Sequence, residues 1–579
     1  MKKFIAPATV FIAILGAYPL EWALLIGKSP RFWGDLRLFA VDNLAILFLA
    51  IMAFFPALIA KREKNLPFSA RAPFLLAGVT IIIAQIQQLI YPGNLDFFLT
   101  GIFPATAFLA GAVIADKWKK TFPLLAGIFA VILLVYSAMT NNFVGFPGNW
   151  NWNFTLVAVT IPAVVSWFFK GKKLVVVSLI AIAVFIAAGV LKRPDILPRG
   201  TLLALAGAAA TMLAMEKIPE KLRLKVIAGF FVFAIFAFIL FVHVFGRDIP
   251  DYRVQLWRGS CQLFLEHPFS GCGQSRFEGL VPDFLPEEYH YVKFRAERHT
   301  HPHNEVLFML TSFGIAGGLF LLLAMTNAIK KIGAKDFNTK YLEWVVLVLF
   351  FHGMVDVLLG EVHSGTLFWV SLGALNAPPL TETPDSAVPG KISTANKIIR
   401  RISGALVLVC FMLLAARNLV GTALCREAKL DFRNGGRTIA LLVNAEKIKP
   451  TPETSYLLGI EYFRTGKLAL AVQKFADIES KFGWGGYVHS NGLAARTCAA
   501  QKKYEQAIVY FAREQHRFPF SIVNVYYQLK MLKAIFPEAA EQHMEQFDRL
   551  LKQRGIERKN LPEIMRYQYL DDLLPIKKE

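Results

Sequence analysis

Three histidines stand on alternate positions immediately before a long apolar run, at His299, His301 and His303. An imidazole titrates near neutral pH, so it can accept a proton from a hydroxyl or, when neutral, bind a metal. In an extended segment the three side chains point to one side, which would suit zinc if Glu305 or a water completed the site. A general base and a solvated run without chemistry are the other interpretations, and His303 is the best placed of the three to act as a base.

Asn304 follows this run and is placed to cap the helix that the apolar residues predict. The N-terminus of such a helix would present amide donors to an anion beside His303. Further along, Gly314, Gly317 and Gly318 predict that a neighbouring span approaches closely.

Arginines and a second histidine–acid pair supply further candidates. A guanidinium matches phosphate oxygens bidentately and is costly to keep where it faces a membrane pocket. Several arginines in the predicted external loops therefore predict a site for an anionic lipid head group, and a diphosphate fits best. Any one of these arginines could instead merely anchor a span. His352 and Asp356 are four residues apart, which predicts that both lie on one helix face. The candidate arginines are Arg193, Arg199, Arg253 and Arg258.

The elements that must position these side chains are membrane spans. Of the 579 residues, 55% are hydrophobic and only 18% are charged, which is less charge than a soluble protein of this length carries. Runs of about 18 or more apolar residues can cross the membrane core. We predict about 12–13 spans, the first of them a retained span rather than a signal peptide. They lie near 4–26, 41–60, 73–91, 97–115, 122–139, 154–169, 174–191, 201–215, 226–245, 304–325, 341–360, 364–377 and 402–420.

The net charge of +21 is unevenly distributed. Lys and Arg cluster in alternate loops, whereas most intervening loops are poor in them, a pattern that places the N-terminus in the cytoplasm. The loops that contain Arg37 and Arg193 depart from the pattern. The distribution argues against nucleic acid as a partner and favours membrane lipids. Counting spans from this end predicts that 246–303 is a large external loop.

The composition becomes that of a soluble domain after about residue 420, and a repeat appears there. Phe475, Phe511 and Phe547 recur at an interval of 36 residues, and Ala471 and Ala507 keep the same register. This interval and the stretch YLLGIEYFRTGKLALA resemble a tetratricopeptide repeat, whose period is about 34 residues. Stacked helix pairs form a solenoid with a groove. The groove either packs on the membrane part or holds an acceptor protein.

The fold class that follows is all-α, a polytopic membrane helix bundle with a C-terminal α-solenoid. We predict transmembrane helices over 1–245, the external loop 246–303, further transmembrane helices over 304–420 with a cytoplasmic linker near 376–400, and an external repeat domain over 421–579. The five cysteines form no framework, although Cys261 and Cys272 share the loop and could pair. The chain lacks a phosphate-binding loop, a dinucleotide fingerprint and an Asp-x-Asp pair in its loops, which argues against a nucleotide donor and predicts no cofactor.

Several motifs in order resemble one family. Arg253–x₃–Trp257, then HPFSGCGQSRF, then HPHNEVL and FGIAGG are similar to the core domain of bacterial O-antigen ligases, O-antigen polymerases and protein O-oligosaccharyltransferases. PRGTLLAL resembles the SRG element of that family, with Pro198 in place of serine, and FHGMVDVLLGEV resembles its histidine-plus-acid span. The resemblance covers roughly 180–375 by motif and 1–420 by span number.

The resemblance implies metal-independent glycosyl transfer at the periplasmic face of the bacterial inner membrane, from a glycan on undecaprenyl diphosphate. His303 would correspond to the base, while Arg199 and Arg253, with Arg193 or Arg258, would hold the diphosphate. The acceptor would be lipid A core in a ligase, a lipid-linked repeat in a polymerase, or a protein Ser or Thr, and the ligase is placed first. The supporting residues would be Asn304, Glu305, His352, Asp356 and Trp257, the last of which could stack on a sugar.

Two other classes remain open. A transporter or flippase for polyprenyl-linked sugars would explain many spans and basic outer residues, but not a base-like histidine beside arginines. Internal repetition of the membrane part would support it, and none is visible in the sequence. An assembly scaffold that acts through the C-terminal repeats is the third class.

Overall fold

The computed structural model describes residues 68–90, 95–139, 150–192, 198–240, 252–286, 289, 299–333, 336–359, 362–377, 413, 417, 420–431, 435–519 and 521–553. Every secondary-structure element within these ranges is helical. The all-α fold class that the apolar runs predict is therefore confirmed.

Helices of the membrane part follow the predicted spans. Those before the large loop are α1 (Phe68–Ile90), α2 (Leu95–Val113), α3 (Ala115–Met139), α4 (Trp150–Val165), α5 (Gly171–Lys192), α6 (Arg199–Lys217) and α7 (Glu220–Leu240). The loop contains α8 (Tyr252–Glu266), α9 (Gln274–Leu280) and a 3-10 turn (Val281–Phe284). After it come α10 (Glu305–Lys330), α11 (Phe337–Gly353) and α12 (Val362–Asn376).

Within the residues that the structure describes, three helical stretches are long and apolar enough to cross a membrane: Ala115–Val135, Gly171–Leu191 and Glu305–Lys330. The spans predicted near 4–26 and 41–60 lie outside the described residues. So does nearly all of the span predicted near 402–420, together with the linker predicted near 376–400 beyond residue 377.

The bundle is held together by apolar helix contacts. Helix α12 packs against α2, α11 against α6, α10 against α1, and α4 against α3. Phe108, Trp118 and Trp369 are fully buried in the shared core. Side chains on the outside are also apolar, as Val184 and Leu191 of α5 show. An apolar exterior over an apolar core is the arrangement that a lipid environment requires.

Helix α10 is bent where the large loop meets it. Gly314 has a φ of 64° inside the helix, and the freed amide of Ile315 donates to the carbonyl of Pro268 at 2.8 Å. The prediction that a neighbouring span approaches at the glycines is thus wrong for Gly314, because a turn of the loop occupies that place. The nearest atoms to Gly317 and Gly318 belong to α10 itself.

The C-terminal domain is built from helix pairs. Its helices are α13 (Gly435–Ile448), α14 (Pro452–Arg464), α15 (Leu468–Phe482), α16 (Ser490–Ala500), α17 (Tyr504–Arg517), α18 (Ile522–Ile535) and α19 (Pro537–Gln553). Three successive pairs pack together, α14 with α15, α16 with α17, and α18 with α19. Phe475, Phe511 and Phe547 are buried, one on the second helix of each pair. The repeated phenylalanine thus marks a repeated helix pair, while kinship with tetratricopeptide repeats stays a prediction.

Candidate functional site

His303 lies where three segments of the chain meet. They are the first turns of α8, the residues that precede α10, and the turn that follows α11. Helix α10 is one of the helices long enough to span a membrane, so its first residue marks one end of the bundle. The predicted base is therefore at a bundle end rather than in the middle of a span.

The imidazole of His303 is paired with a buried carboxylate. Its Nδ1 lies 3.3 Å from Oδ1 of Asp356. A carboxylate only accepts hydrogen bonds, so the proton belongs on Nδ1 and Nε2 becomes an acceptor. The His303 side chain is 22% exposed, whereas that of Asp356 is 4% exposed. Nδ1 is therefore held by the buried carboxylate, while the rest of the ring remains accessible.

Asp356 is surrounded by groups that stabilise its negative charge. The amide of Val357 donates to Oδ1 at 2.8 Å, and Oδ2 lies 4.0 Å from Nη2 of Arg253 and 3.8 Å from Nε2 of His352. Burial alone would raise the pKa of Asp356, but its interactions with His303 and His352 and the charge of Arg253 outweigh burial and hold the pKa well below its usual value. The carboxylate is therefore ionised at neutral pH.

The predicted helix face shared by His352 and Asp356 is only partly correct. Helix α11 ends at Gly353, so Asp356 lies in the turn beyond it. The amide of Asp356 still donates to the carbonyl of His352 at 3.1 Å. That bond preserves the spacing of one helical turn and keeps the two side chains together after the helix has ended.

Thr155 of α4 holds His352, and Thr201 of α6 holds Thr155 in turn. Neither threonine stands out in the sequence. Oγ1 of Thr155 lies 2.5 Å from Nδ1 of His352 and 2.8 Å from Oγ1 of Thr201. A Cβ on Gly200 would lie 2.9 Å from Nε2 of His352. The start of α6 therefore packs directly against this ring. A single threonine in an apolar run is too common to single out by inspection.

The backbone at His303 adopts a left-handed conformation with a φ of 55°, which costs a residue with a side chain on the order of 1 kcal/mol. Its amide donates to Nδ1 of His301 at 3.0 Å. Nε2 of His301 lies 3.3 Å from Oε1 of Glu305, which also accepts from the amide of Leu359 at 2.9 Å. His301, whose ring lies beside the carboxylate of Glu305, thus supports the backbone conformation of the candidate base.

The three histidines face different partners. Nε2 of His299 is hydrogen-bonded to the hydroxyl of Tyr289, His301 turns to Glu305, and His303 turns to Asp356. The predicted alignment along one side of an extended segment is wrong, because the left-handed residue breaks that extension. Among the described residues, no three His, Cys, Asp or Glu side chains form a group able to hold a metal.

Asn304 and Trp257 fasten the segment before α10 to its neighbours. Oδ1 of Asn304 accepts from the amide of Leu307 at 3.0 Å, which confirms the predicted cap. Nδ2 of Asn304 donates to the carbonyl of Met354 at 3.0 Å. The indole of Trp257 donates to the carbonyl of Pro302 at 2.9 Å. Stacking of Trp257 on a sugar stays a prediction.

The predicted arginines differ in how close they lie to the pair of His303 and Asp356. Arg253 is 33% exposed, and its Nη1 donates to the carbonyl of Val355 at 3.1 Å, beside Asp356. Arg199 is exposed at the first position of α6, one residue before the glycine that contacts His352. Arg258 donates to Oε1 of Gln255 at 2.8 Å. Arg193 lies outside the described residues.

The two loop cysteines do not form the disulfide that their positions allowed. Cys261 and Cys272 are both free thiols. Burial raises the pKa of Cys261 to about 11 and that of Cys272 to about 12. Both thiols are therefore protonated and act as packing groups of the loop.

The fold and the site together define a polytopic membrane protein with a histidine–carboxylate pair beside arginine at one end of its bundle. Residues 158–322 match the family model described as O-Antigen ligase, which supports the O-antigen ligase superfamily that the motifs resemble. Its members are membrane glycosyltransferases of the ligase or polymerase type, with a glycan donor and an acceptor. The match ends before His352 and Asp356, and it is the fold that brings these two residues to His303. No curated relative and no solved structure matches the chain.

Proposed function

We propose that this protein transfers a glycan from undecaprenyl diphosphate to an acceptor hydroxyl at the periplasmic face of the bacterial inner membrane, by a metal-independent reaction with His303 as the base. One observation carries the proposal above the others. His303 is accessible, and an ionised carboxylate holds its Nδ1, which leaves Nε2 to accept a proton.

The proposed reaction is a single displacement. Nε2 of His303 takes the proton of the acceptor hydroxyl as the acceptor oxygen bonds to the anomeric carbon of the donor glycan. The bond between that carbon and the diphosphate oxygen breaks, and the diphosphate leaves with the electron pair. Asp356 stabilises the imidazolium that results, because its carboxylate is already paired to Nδ1. Base and charge stabilisation both come from side chains.

Arginines stabilise the leaving diphosphate in this scheme. Arg253 is the first candidate, because its partly exposed guanidinium reaches the same carboxylate as His303. Arg199 is the second, because it begins the helix that packs on His352. The positive end of that helix adds to the charge that an anion would meet there. Arg193 and Arg258 remain proposed contributors from neighbouring positions.

The orientation of the protein follows from the charge pattern of its loops. Basic residues mark the cytoplasmic side, so the loop with α8 and α9 is proposed to lie in the periplasm. The C-terminal domain contacts that loop through the ion pair of Arg517 with Asp283. Loop, domain and His303 would therefore share the periplasmic face, where donor and acceptor meet.

The test uses the full-length protein in lipid nanodiscs with an undecaprenyl-diphosphate-linked glycan as donor. His303→Ala is expected to lower transfer by about 10²–10⁴-fold, the usual contribution of a positioned base. His543→Ala on α19, a histidine away from the site, is the matched control. Undiminished transfer by His303→Ala, with protein amount and thermal stability equal to the control, would reject the proposal.

The acceptor class is decided in cells. Mass spectrometry of lipopolysaccharide and of secreted proteins, with and without the active chain, distinguishes lipid A core, a glycan repeat and a protein Ser or Thr. Lipid A core is the acceptor proposed first. Loss of glycan from all three classes in cells that carry His303→Ala, with donor still reaching the periplasm, would also exclude the flippase alternative.

A further inference from the structure

The C-terminal domain is attached to the outer loop by one buried arginine. Arg517, the last residue of α17, is 2% exposed. Its Nη1 donates to the carbonyl of Gly279 at 2.9 Å and lies 3.2 Å from Oδ2 of Asp283. Its Nη2 donates to the carbonyl of Gly486 at 3.3 Å. A single guanidinium therefore joins α9, the 3-10 turn and the segment before α16.

The contact is also interlocked by shape. The ring of Trp484 is buried against Gly279, where a Cβ would have no room. Nε of Arg276 on α9 donates to the carbonyl of Gly483 at 3.1 Å. Each side thus contributes a side chain that contacts the backbone of the other.

Helix α9 and the 3-10 turn also pack against α8, the helix that carries Arg253. Phe277 and Val281 form a small buried cluster with Leu256 and Leu263 of α8. A Cβ on Gly259 of α8 would lie 3.0 Å from the carbonyl oxygen of Phe284. Helix α8 therefore packs directly against the end of the 3-10 turn at Gly259.

Helix α8 carries Arg253 to Asp356 and Trp257 to Pro302. Leu256 lies between them in sequence, and it packs towards the turn that Arg517 holds. The C-terminal domain and the candidate diphosphate site are therefore connected through a continuous set of contacts. It runs from Arg517 to α9 and the 3-10 turn, and from there to α8.

We propose that the C-terminal domain is a fixed part of the donor site, in which Arg517 is a positioning residue that sets the place of Arg253 through the 3-10 turn and α8. The proposal rests on the proposed function only for the identity of the ligand that Arg253 binds. It supports the first of the two roles that the sequence leaves open for the repeats, packing on the membrane part, and it is compatible with recruitment of an acceptor as well.

The first experiment compares Arg517→Ala with Arg513→Ala in the full-length protein. Arg513 lies one turn earlier on α17, and it pairs with Glu479 on the exposed surface. Loss of the buried arginine is expected to raise hydrogen exchange of 252–266 and 274–284 about tenfold, whereas Arg513→Ala leaves it unchanged. Binding of undecaprenyl diphosphate alone should weaken about tenfold for Arg517→Ala only.

A rescue experiment separates positioning from general damage. A Cβ on Gly485 would lie 3.4 Å from Cγ of Asp283, so Asp283→Cys with Gly485→Cys can bridge the contact in the Arg517→Ala background. Oxidation of this triple variant is expected to restore affinity for undecaprenyl diphosphate to within about threefold of wild type. The reduced form of the same protein is its control and should remain weak.

Two results would overturn the inference. Unchanged exchange of α8 in Arg517→Ala would show that the contact does not hold the helix. An oxidised triple variant that binds no better than its reduced form would show that docking does not position Arg253. If wild type fails to bind undecaprenyl diphosphate, the proposed function fails instead, while the exchange comparison still decides whether the domain fixes α8.

Discussion

Two histidine–carboxylate pairs with similar chemistry lie in different regions of the chain. In the membrane part, Nδ1 of His303 faces Asp356 at 3.3 Å. In the C-terminal domain, Nδ1 of His489 faces Glu514 at 2.6 Å. The carboxylate of Glu514 is fully buried and also accepts from the amide of Gly492 at 3.0 Å. That pair ties the start of α16 to α17.

The difference between the pairs lies in their surroundings. His489 is 11% exposed and its ring packs on Phe518, whereas His303 is 22% exposed and shares its carboxylate with Arg253. Only His303 has a left-handed backbone held by other side chains. A histidine paired with a carboxylate is therefore a common device, and accessibility beside a cation is what makes one of the two a candidate base.

The largest effect is predicted for a substitution that breaks each pair in the same way, by replacing the carboxylate with its amide. Asp356→Asn is expected to lower kcat/KM by about 10²–10⁴-fold, because the amide no longer holds the proton on Nδ1 of His303 or stabilises the imidazolium. Glu514→Gln is expected to destabilise the fold by about 1–3 kcal/mol, because buried donors lose a charged partner. Transfer per folded molecule should then stay within about twofold of wild type.

Steady-state kinetics and thermal unfolding of both variants test this contrast. Equal losses of kcat/KM in Asp356→Asn and Glu514→Gln, measured below the unfolding transition of each, would mean that the two pairs do not differ in function.

The second prediction removes the side chain that accepts from the backbone amide of the base. His301→Ala deletes the acceptor for the amide of His303, so the left-handed conformation loses its support. The expected result is a fall in kcat of about tenfold with little change in the KM for donor, because a displaced base slows the chemical step. Glu305→Gln should have a smaller effect of the same kind. A rise in KM without a change in kcat would assign His301 to donor binding instead.

Much of the fold was predictable because helix periodicity and apolar length repeat along the chain. Helices α1 to α7 and α10 to α12 each overlap one predicted span, since length and hydrophobicity are local properties. The 36-residue interval of Phe475, Phe511 and Phe547 predicted the helix pairs, because a repeat of this kind is visible directly in the sequence. The ending of α11 at Gly353 was not predicted, because it depends on contacts that the turn makes with other segments.

The candidate site was predictable only as a set of residue types. His303, Asn304 and Arg253 were found by their chemistry and order, but their partners come from distant parts of the chain. The contacts of Thr155 and His301 depend on which helices pack together, and the left-handed backbone at His303 keeps the three histidines from lining one side of the segment. Arg517 lies far along the chain from the loop that it holds, so local patterns gave no indication of its contact.

The third prediction tests whether His352 contributes by supporting Asp356. Thr155→Val removes the hydroxyl on Nδ1 of His352 while it keeps nearly the same volume. The expected loss in kcat is about threefold, since His352 reaches Asp356 only at 3.8 Å. Thr160→Val on the same helix is the control, because its hydroxyl bonds to the carbonyl of Leu156 within α4. An equal loss in both variants would trace the effect to α4 rather than to His352.

The smallest predicted effect concerns metal. If the imidazole of His303 is itself the base, EDTA treatment followed by removal of the chelate should change the initial rate less than about twofold. A water activated by a bound metal would instead lose its acidity when the ion is removed, and added zinc would restore the rate. Atomic absorption on the treated protein and donor shows whether removal is complete. Loss of rate with EDTA and recovery with zinc would make His303 a ligand, and its pairing with Asp356 would then orient a metal-bound ring, as carboxylates do elsewhere.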